Sequence, residues 1–385
     1  MSTWTWPAYV GVVGGVLLFG LLLVPIVLFQ VRRYGALNGR RLAASAAVSV
    51  YGVALVAYTL LPLPTGDVAA WCADHGYTSA QLDPFQFVRD IRDATAGEPL
   101  TVALRSPAVL QVVLNVVLFV PWGAIVRRFL GWGLVPTVLS AFGASLLIET
   151  TQYTGIFGLI PCSYRLGDVD DLLTNTLGGL IGALAAPLLL RWLPRPRDLA
   201  PHRGEPRPVT AWRRWFGMAL DAAAFAAVGV VLDVAYRLAL DAAGRPLPTG
   251  QDAADWVLGA VVPFAVVFVW PALVGGRASW GQRAAWLAPA WSGRPRPVLR
   301  AAVPGGLWGA CVIVASLPAA WDVPDVAAAA RAAAVLTAAV AVASVPLTRD
   351  RRGLSGVVSG AVVRDVRTDD AAVGQSDRPS PSRTP

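Results

Sequence analysis

Apolar runs of about 20 residues alternate with short polar segments along most of the chain. A helix of this length spans the hydrocarbon core of a bilayer and satisfies its own backbone hydrogen bonds there. The pattern therefore predicts an all-α, polytopic integral membrane protein with about nine transmembrane helices. The apolar runs cover residues 9–30, 42–63, 108–126, 134–153, 172–193, 215–240, 256–274, 298–317 and 326–347.

A stretch rich in proline and arginine separates the first five runs from the last four. It has almost no apolar character, as is typical of a linker, and the end of the chain mixes charges with Ser and Pro, as is typical of disorder. We therefore expect a first transmembrane domain over residues 1–193, a cytoplasmic linker over 194–211, a second transmembrane domain over 212–348 and a disordered cytoplasmic tail over 349–385.

The composition supports a membrane protein. Of the 385 residues, 55% are hydrophobic and only 15% are charged, whereas soluble proteins carry about 25% charged residues. The net charge of +8 comes from arginines in short loops, which is the pattern of the positive-inside rule rather than of nucleic-acid binding. The expected partner is the lipid bilayer, and no pattern specifies an oligomeric state. The chain contains arginine but no lysine, which suggests a GC-rich bacterial genome.

The arginine loops also predict the topology. With the N-terminus outside and the C-terminus in the cytoplasm, each short cytoplasmic loop carries at least two arginines. The acidic loop over residues 65–107 and the aspartate-rich loop before the fifth run then lie outside. The loops assigned to the cytoplasm cover residues 32–41, 127–128, 194–211 and 277–300.

Polar side chains interrupt the apolar pattern at the outer ends of the third, fourth and fifth runs. A charged side chain in lipid costs about 2.5–3.5 kcal/mol, so one that is kept is a candidate for function. The predicted topology brings these residues to one depth. We call the predicted site the polar cup, and it consists of Asn115, Glu149, Gln152, Arg165, Asp168, Asp170, Asp171 and Asn175.

The chemistry of the cup stays open at this point. Paired carboxylates serve acid–base catalysis, oxygen ligands hold hard cations, and a buried polar network can also simply fix helix register. Arg165 can pair with one of the acids. No Ser/His/Asp set is present, because His75 and His202 both lie in loops or linkers. No catalytic residue, metal or cofactor is therefore assigned.

Two cysteines fall in the predicted outside loops. A disulfide between Cys72 and Cys162 would tie the acidic loop over the polar cup. Two unpaired thiols are the alternative.

The first half of the chain contains an ordered set of motifs: Y-T-L-L-P at residues 58–62, Asn115-x3-Phe119-x-Pro121-x-Gly123, Glu149-x2-Gln152 and Arg165-x2-Asp168-x-Asp170-Asp171-x3-Asn175-x2-Gly178. This set is the basis of a resemblance to the VanZ-like family over roughly residues 45 to 190. The resemblance implies a multi-pass protein of the bacterial cell membrane that is linked to resistance against glycopeptides of the teicoplanin type. A cell-envelope precursor or the glycopeptide itself is then the expected partner of the polar cup. An enzyme acting on a lipid-linked envelope precursor is an alternative.

The second half resembles the RDD membrane domain. Arg214-x2-Gly217-x2-Leu220-Asp221 is similar to its opening motif, and G-G-R-A-S-W-G-Q-R at residues 275–283 is similar to its loop. The resemblance offers a further alternative, an ion or solute transporter. The other interpretation of Gly281 and Arg283 is an ordinary cytoplasmic turn. The RDD-like motif residues are Arg214, Asp221, Gly276, Gly281 and Arg283.

Overall fold

The structure is a computed structural model, and it describes residues 5–77, 79–248, 252–274 and 277–368. Nine helices within these residues are long and apolar enough to cross a membrane, which confirms the predicted multi-pass helical architecture. The helices are α1 (Thr5–Tyr34), α2 (Gly39–Leu60), α3 (Val68–His75), α4 (Gln86–Thr95), α5 (Pro107–Leu130), α6 (Leu134–Tyr153), α7 (Val169–Leu189), α8 (Ala211–Ala242), α9 (Ala253–Leu273), α10 (Trp280–Ala284), α11 (Pro297–Ala315), α12 (Pro324–Leu347) and α13 (Gly353–Ser359).

Several helices contain prolines and locally widened turns. Pro121 lies inside α5, and a π-helical turn over Ile125–Leu130 follows it. Proline has no N–H to donate, so it disrupts the regular hydrogen-bond ladder of a helix. In α11 the backbone is non-helical at Val303, the residue before Pro304. Single helical turns also form at Leu100–Ala103 and Pro196–Leu199.

The surfaces of the long helices are apolar. On α1, for example, Leu17 and Leu21 are 69% and 77% exposed. A contiguous apolar surface of this kind marks contact with a membrane or a partner. These helices therefore have the surface that lipid requires.

The chain forms two compact units, each described here by itself. They comprise Met1–Gln30 with Ala36–Pro201, and Val31–Gly35 with His202–Pro385. The division near residue 201 falls within the predicted linker. The short segment Val31–Gly35 differs from the expected domain over residues 1–193, because it groups with the second unit. The reason lies in Trp286, which donates a hydrogen bond to the Val31 carbonyl at 3.0 Å and packs beneath Arg32.

Glycines bring α5 and α7 into backbone contact in the first unit. A Cβ on Gly178 would lie 2.2 Å from the Val116 carbonyl oxygen, and one on Gly182 would lie 1.9 Å from that of Val120. Small residues four apart allow this close approach between membrane helices. The contact anchors α7, whose first turn carries the aspartates.

A small antiparallel sheet in the second unit was not predicted. It pairs β1 (Leu287–Ala290) with β2 (Val362–Asp365), and Leu287 lies opposite Asp365. The described residues are therefore helical with one two-stranded sheet. The tail predicted as disordered over residues 349–385 is ordered as far as residue 368, because α13 and β2 form there. Residues 369–385 lie outside the described part of the chain.

Packing and ion pairs explain why the end of the chain folds. Val363 is buried against Ala285 and Leu287 in a small core. Asp365 accepts hydrogen bonds from Arg213 at 2.8 Å and from Arg367 at 2.5 Å. Burial alone would raise the pKa of Asp365, but these hydrogen bonds outweigh it and hold the pKa below its ordinary value. Composition predicted disorder because it does not reveal partners that are distant in sequence, such as Arg213 and Leu287.

Candidate functional site: the polar cup of the first unit

Glu149 is connected to the start of α7. It lies in the C-terminal part of α6 and is 7% exposed. Its Oε2 atom accepts a hydrogen bond from the Asp168 N–H at 3.0 Å. The Asp168 side chain in turn accepts the Asp170 N–H at 2.8 Å, so it caps α7. A buried carboxylate of one helix is therefore linked to the N-terminus of the next.

Asp170 holds the start of α4. Its two carboxylate oxygens accept the Phe85 N–H at 2.6 Å and the Phe87 N–H at 2.9 Å. The N-cap of α4 is Phe85, which has a left-handed backbone and supplies no side-chain cap. An acid more than 80 residues away thus satisfies N–H groups that would otherwise lack acceptors. Asp170 therefore positions α4 within the acidic loop over residues 65–107.

Gln81 is a member of this network that the sequence did not reveal. Its Nε2 atom donates to Asp168 at 3.3 Å and to Asp170 at 3.4 Å. Its backbone pairs with that of Gly167 at 2.8 Å and of Val169 at 3.0 Å. A glutamine within a polar loop does not stand out as one within an apolar helix does. The one sequence feature that marks Gln81 is its position two residues before the segment Asp83-Pro84-Phe85.

The two asparagines extend the site along the helices. Asn115 of α5 donates from Nδ2 to Asp171 at 2.5 Å, and Gln111, one turn earlier, also hydrogen-bonds to Asp171. Asn175 of α7 donates to the fully buried Ser145 of α6 at 2.9 Å. Its buried Oδ1 atom has no partner among the described residues. These hydrogen bonds therefore extend the polar site along α7, and the Asn175 Oδ1 atom is left without a donor among the described residues.

Gln152 and Arg165 point to the end of α2 instead of to the acids. Gln152 donates to the Thr59 carbonyl and Arg165 to the Leu61 carbonyl, both at 2.6 Å. Within the described chain, no ion pair of 4 Å or less joins Arg165 to an acid. The expected pairing of Arg165 with an aspartate or with Glu149 is wrong, because the carbonyl of Leu61 takes its guanidinium.

Four of the predicted residues form what we call the acidic cluster, namely Glu149, Asp168, Asp170 and Asp171. No ion pair to any of them occurs in the described ranges, where no group of His, Cys, Asp and Glu suited to a metal ion is found either. At Asp168, outside the membrane-spanning helices, burial raises the pKa above its ordinary value. The hydrogen bond from the Asp170 N–H opposes this effect and the Asp170 charge adds to it. The cluster offers acceptors to polar ligands or protons to a reaction.

A disulfide joins the acidic loop over residues 65–107 to the segment before α7. It connects Cys72 of α3 to Cys162, with 5.7 Å between their Cα atoms. Beside it, the Tyr77 N–H donates to the Ser163 carbonyl at 2.9 Å. The acidic loop is thus attached at α3 by the disulfide, at Tyr77 and Gln81 by backbone hydrogen bonds, and at α4 by Asp170.

Removing this disulfide should destabilise the first unit. We expect Cys72→Ala combined with Cys162→Ala to lose about 2–5 kcal/mol, because the bond restricts a long loop of the unfolded chain. Thermal unfolding of the purified protein measures this loss. Cys311→Ala is the matched control, since Cys311 is a free thiol of α11. An unchanged melting temperature in the double variant would contradict the pairing.

In the second unit the structure brings two RDD-like motif residues together. Asp221 of α8 accepts the Gly281 N–H at 2.7 Å. Arg283 donates to the Ala278 carbonyl at 3.0 Å, and Arg214 donates to the Arg352 carbonyl at 3.2 Å. Within the described residues neither arginine forms an ion pair with Asp221. Gly276 lies outside the described residues.

Comparison with known proteins bears on the first unit. The VanZ/LLP1 family model matches residues 48–190, the segment that contains the whole polar cup. No curated protein and no solved structure matches the chain. The family match ends before the RDD-like motifs, so that resemblance stays a prediction. Over residues 48–190, this multi-pass membrane protein is similar to the VanZ/LLP1 family.

Proposed function

We propose that the protein acts in the bacterial cell envelope to reduce the action of glycopeptide antibiotics, and that the polar cup is the site of this action. The similarity of residues 48–190 to the VanZ/LLP1 family supports the class of function. The observation that carries the proposal is the acidic cluster, in which backbone N–H groups link Glu149, Asp168 and Asp170 and no member has a cationic partner within 4 Å among the described residues. Such groups inside a membrane protein are candidates for function.

The partner we propose is an envelope precursor or the glycopeptide itself. Both are rich in amide and hydroxyl groups, which can donate hydrogen bonds to carboxylates. The arginine distribution favours an outward orientation of the cup, where such molecules are found. The acidic loop over residues 65–107 is held by Asp170 and by the disulfide, and it would border the bound partner.

Glu149→Gln is the variant that tests the acidic cluster. Glutamine keeps an Oε1 acceptor for the Asp168 N–H, so the link to α7 persists while the charge and the exchangeable proton are removed. We expect the wild type to raise the inhibitory concentration of teicoplanin in a glycopeptide-sensitive Gram-positive host. Glu149→Gln should lose this increase at an equal membrane level, which an immunoblot measures.

Asp93→Asn is the matched control. It removes the same charge from α4, at a side chain that is 76% exposed, and it should retain the increase. A wild-type protein that reaches the membrane without raising resistance would contradict the proposed function. If the Glu149→Gln variant still confers resistance, the acidic cluster has no part in the proposed function.

An enzyme acting on a lipid-linked precursor is the second candidate, and the hydrogen-bonded acids favour it because they could exchange protons with a substrate. Incubation of the purified protein with a lipid-linked precursor, followed by mass spectrometry, separates the two ideas. A product that depends on Glu149 would identify an enzyme. Binding without any product would support a binding role.

A further inference from the structure

The second unit contains a cavity of about 390 Å³. Ligand sites in proteins commonly have volumes of about 300–1,000 Å³. Helices α8, α9, α11 and α12 form the walls, and the loop before α10 contributes to them. Most of the lining is apolar, and its large side chains include Trp215, Met218, Phe268 and Trp308.

Two buried arginines line this cavity with unused donors. Arg214 is 3% exposed and Arg300 is 9% exposed. Arg214 donates from Nη2 to the Arg352 carbonyl at 3.2 Å, and its buried Nη1 has no partner among the described residues. Arg300 donates from Nη1 to the Arg277 carbonyl at 3.5 Å, and no described residue bonds to its buried Nε. In the described part of the chain, neither has a carboxylate within 4 Å.

The charges that line the cavity do not balance. Arg214, Arg277 and Arg300 stand against Asp221 alone, which gives 3 − 1 = +2. Asp221 is already engaged, because it accepts the Gly281 N–H at 2.7 Å and a hydrogen bond from Ser279. Asp221 attracts Arg300 only from beyond 4 Å, so the cavity keeps a net positive charge whose desolvation is only partly offset. The cavity is the space in which an anion would supply a closer partner.

We propose that this cavity binds a phosphate group, with the guanidinium groups of Arg214 and Arg300 as its ligands. Guanidinium matches phosphate oxygens with paired, charge-assisted hydrogen bonds. Where the phosphate belongs to a lipid, the aromatic and aliphatic walls contact the apolar chains that are attached to it. The phosphate could come from a lipid headgroup or from solution, and the experiment distinguishes the two sources.

Thermal unfolding of the full-length protein in an uncharged detergent tests the proposal. Three compounds are titrated: short-chain phosphatidylglycerol, inorganic phosphate, and a diacylglycerol with the same chains but no phosphate. We expect a saturable rise in melting temperature with the phosphate-bearing compounds and none with the diacylglycerol. A response to phosphatidylglycerol alone identifies a lipid, and a response to inorganic phosphate identifies a free anion. No response to either overturns the proposal.

Arg300→Met tests the assigned ligand. We expect it to weaken binding about tenfold or more, because it removes a charge-assisted donor. Without ligand, its melting temperature should equal or exceed that of the wild type, because an unpaired buried charge is replaced by an apolar chain. Arg331→Gln removes a charge from the exposed Arg331 of α12 and should bind normally. Wild-type binding by Arg300→Met would overturn the proposal, and Arg214→Gln provides the same test if Arg300→Met does not accumulate.

Discussion

Gly182→Ala should destabilise the first unit severely. The added methyl group would lie 1.9 Å from the carbonyl oxygen of Val120, a backbone atom that cannot rotate away. Overpacking of a close-packed core costs about 1–3 kcal/mol and occasionally more. We expect about 3 kcal/mol or more here, because two helix backbones must separate. The loss is measured as the fall in melting temperature of the purified protein and as its reduced level in membranes.

Gly143→Ala is the matched control for this substitution. Gly143 lies in the neighbouring helix α6, and a Cβ there would meet nothing within 4 Å. Alanine has the higher helix propensity, by about 1 kcal/mol, so this variant should be as stable as the wild type or more stable. Equal melting temperatures for the two variants would show that α5 and α7 do not pack as the structure describes.

Asp170→Ala should release α4 from the first unit. The substitution removes the acceptors of the Phe85 and Phe87 N–H groups, which lie 2.6 and 2.9 Å from the carboxylate. Hydrogen bonds to charged groups contribute about 1.5–3 kcal/mol each. We therefore expect the backbone amides of Gln86–Thr95 to lose most of their protection from hydrogen exchange. Mass spectrometry of peptides from this segment measures the loss.

Two comparisons make that result specific. Asp93→Ala changes an exposed acid of the same helix, and the exchange of α4 should stay at the wild-type rate. Peptides from α8 in the second unit should be unaffected in both variants. Unchanged exchange over Gln86–Thr95 in Asp170→Ala would contradict the capping contact. Loss of resistance in Asp170→Ala, unlike loss in Glu149→Gln, would follow from a displaced loop and would not assign a chemical role to the acid.

The long helices were predictable because a helix that crosses the bilayer core needs about 20 consecutive, mostly apolar residues. The fourth apolar run, residues 134–153, coincides with α6, and the acids next to it stood out in an apolar chain. Their clustering followed from topology and helical spacing. The polar cup could therefore be proposed from the sequence, and the structure places Glu149, Asp168, Asp170 and Asp171 together.

The finer arrangement depended on contacts between distant residues. Nothing in the sequence indicates that Arg165 donates to the Leu61 carbonyl, or that Asp170 accepts the N–H groups of Phe85 and Phe87. Gln81 lies in a polar loop, where nothing in the sequence distinguishes its side chain from the other polar side chains. The segment over residues 349–368 has the composition of a disordered tail, and it folds because Val363 and Asp365 find partners far away along the chain.

The pairing of β1 with β2 has a consequence for the order of events during synthesis. Leu287 pairs with Asp365, so the partner follows 365 − 287 = 78 residues later. At about 5–20 residues per second, β1 has no partner strand for about 4–16 s, while α11 and α12 are translated. Its unpaired edge is open to other strands during that time. The second unit can therefore complete its fold only late in translation, and a ribosome that stopped near residue 348 would release a chain whose β1 has no partner.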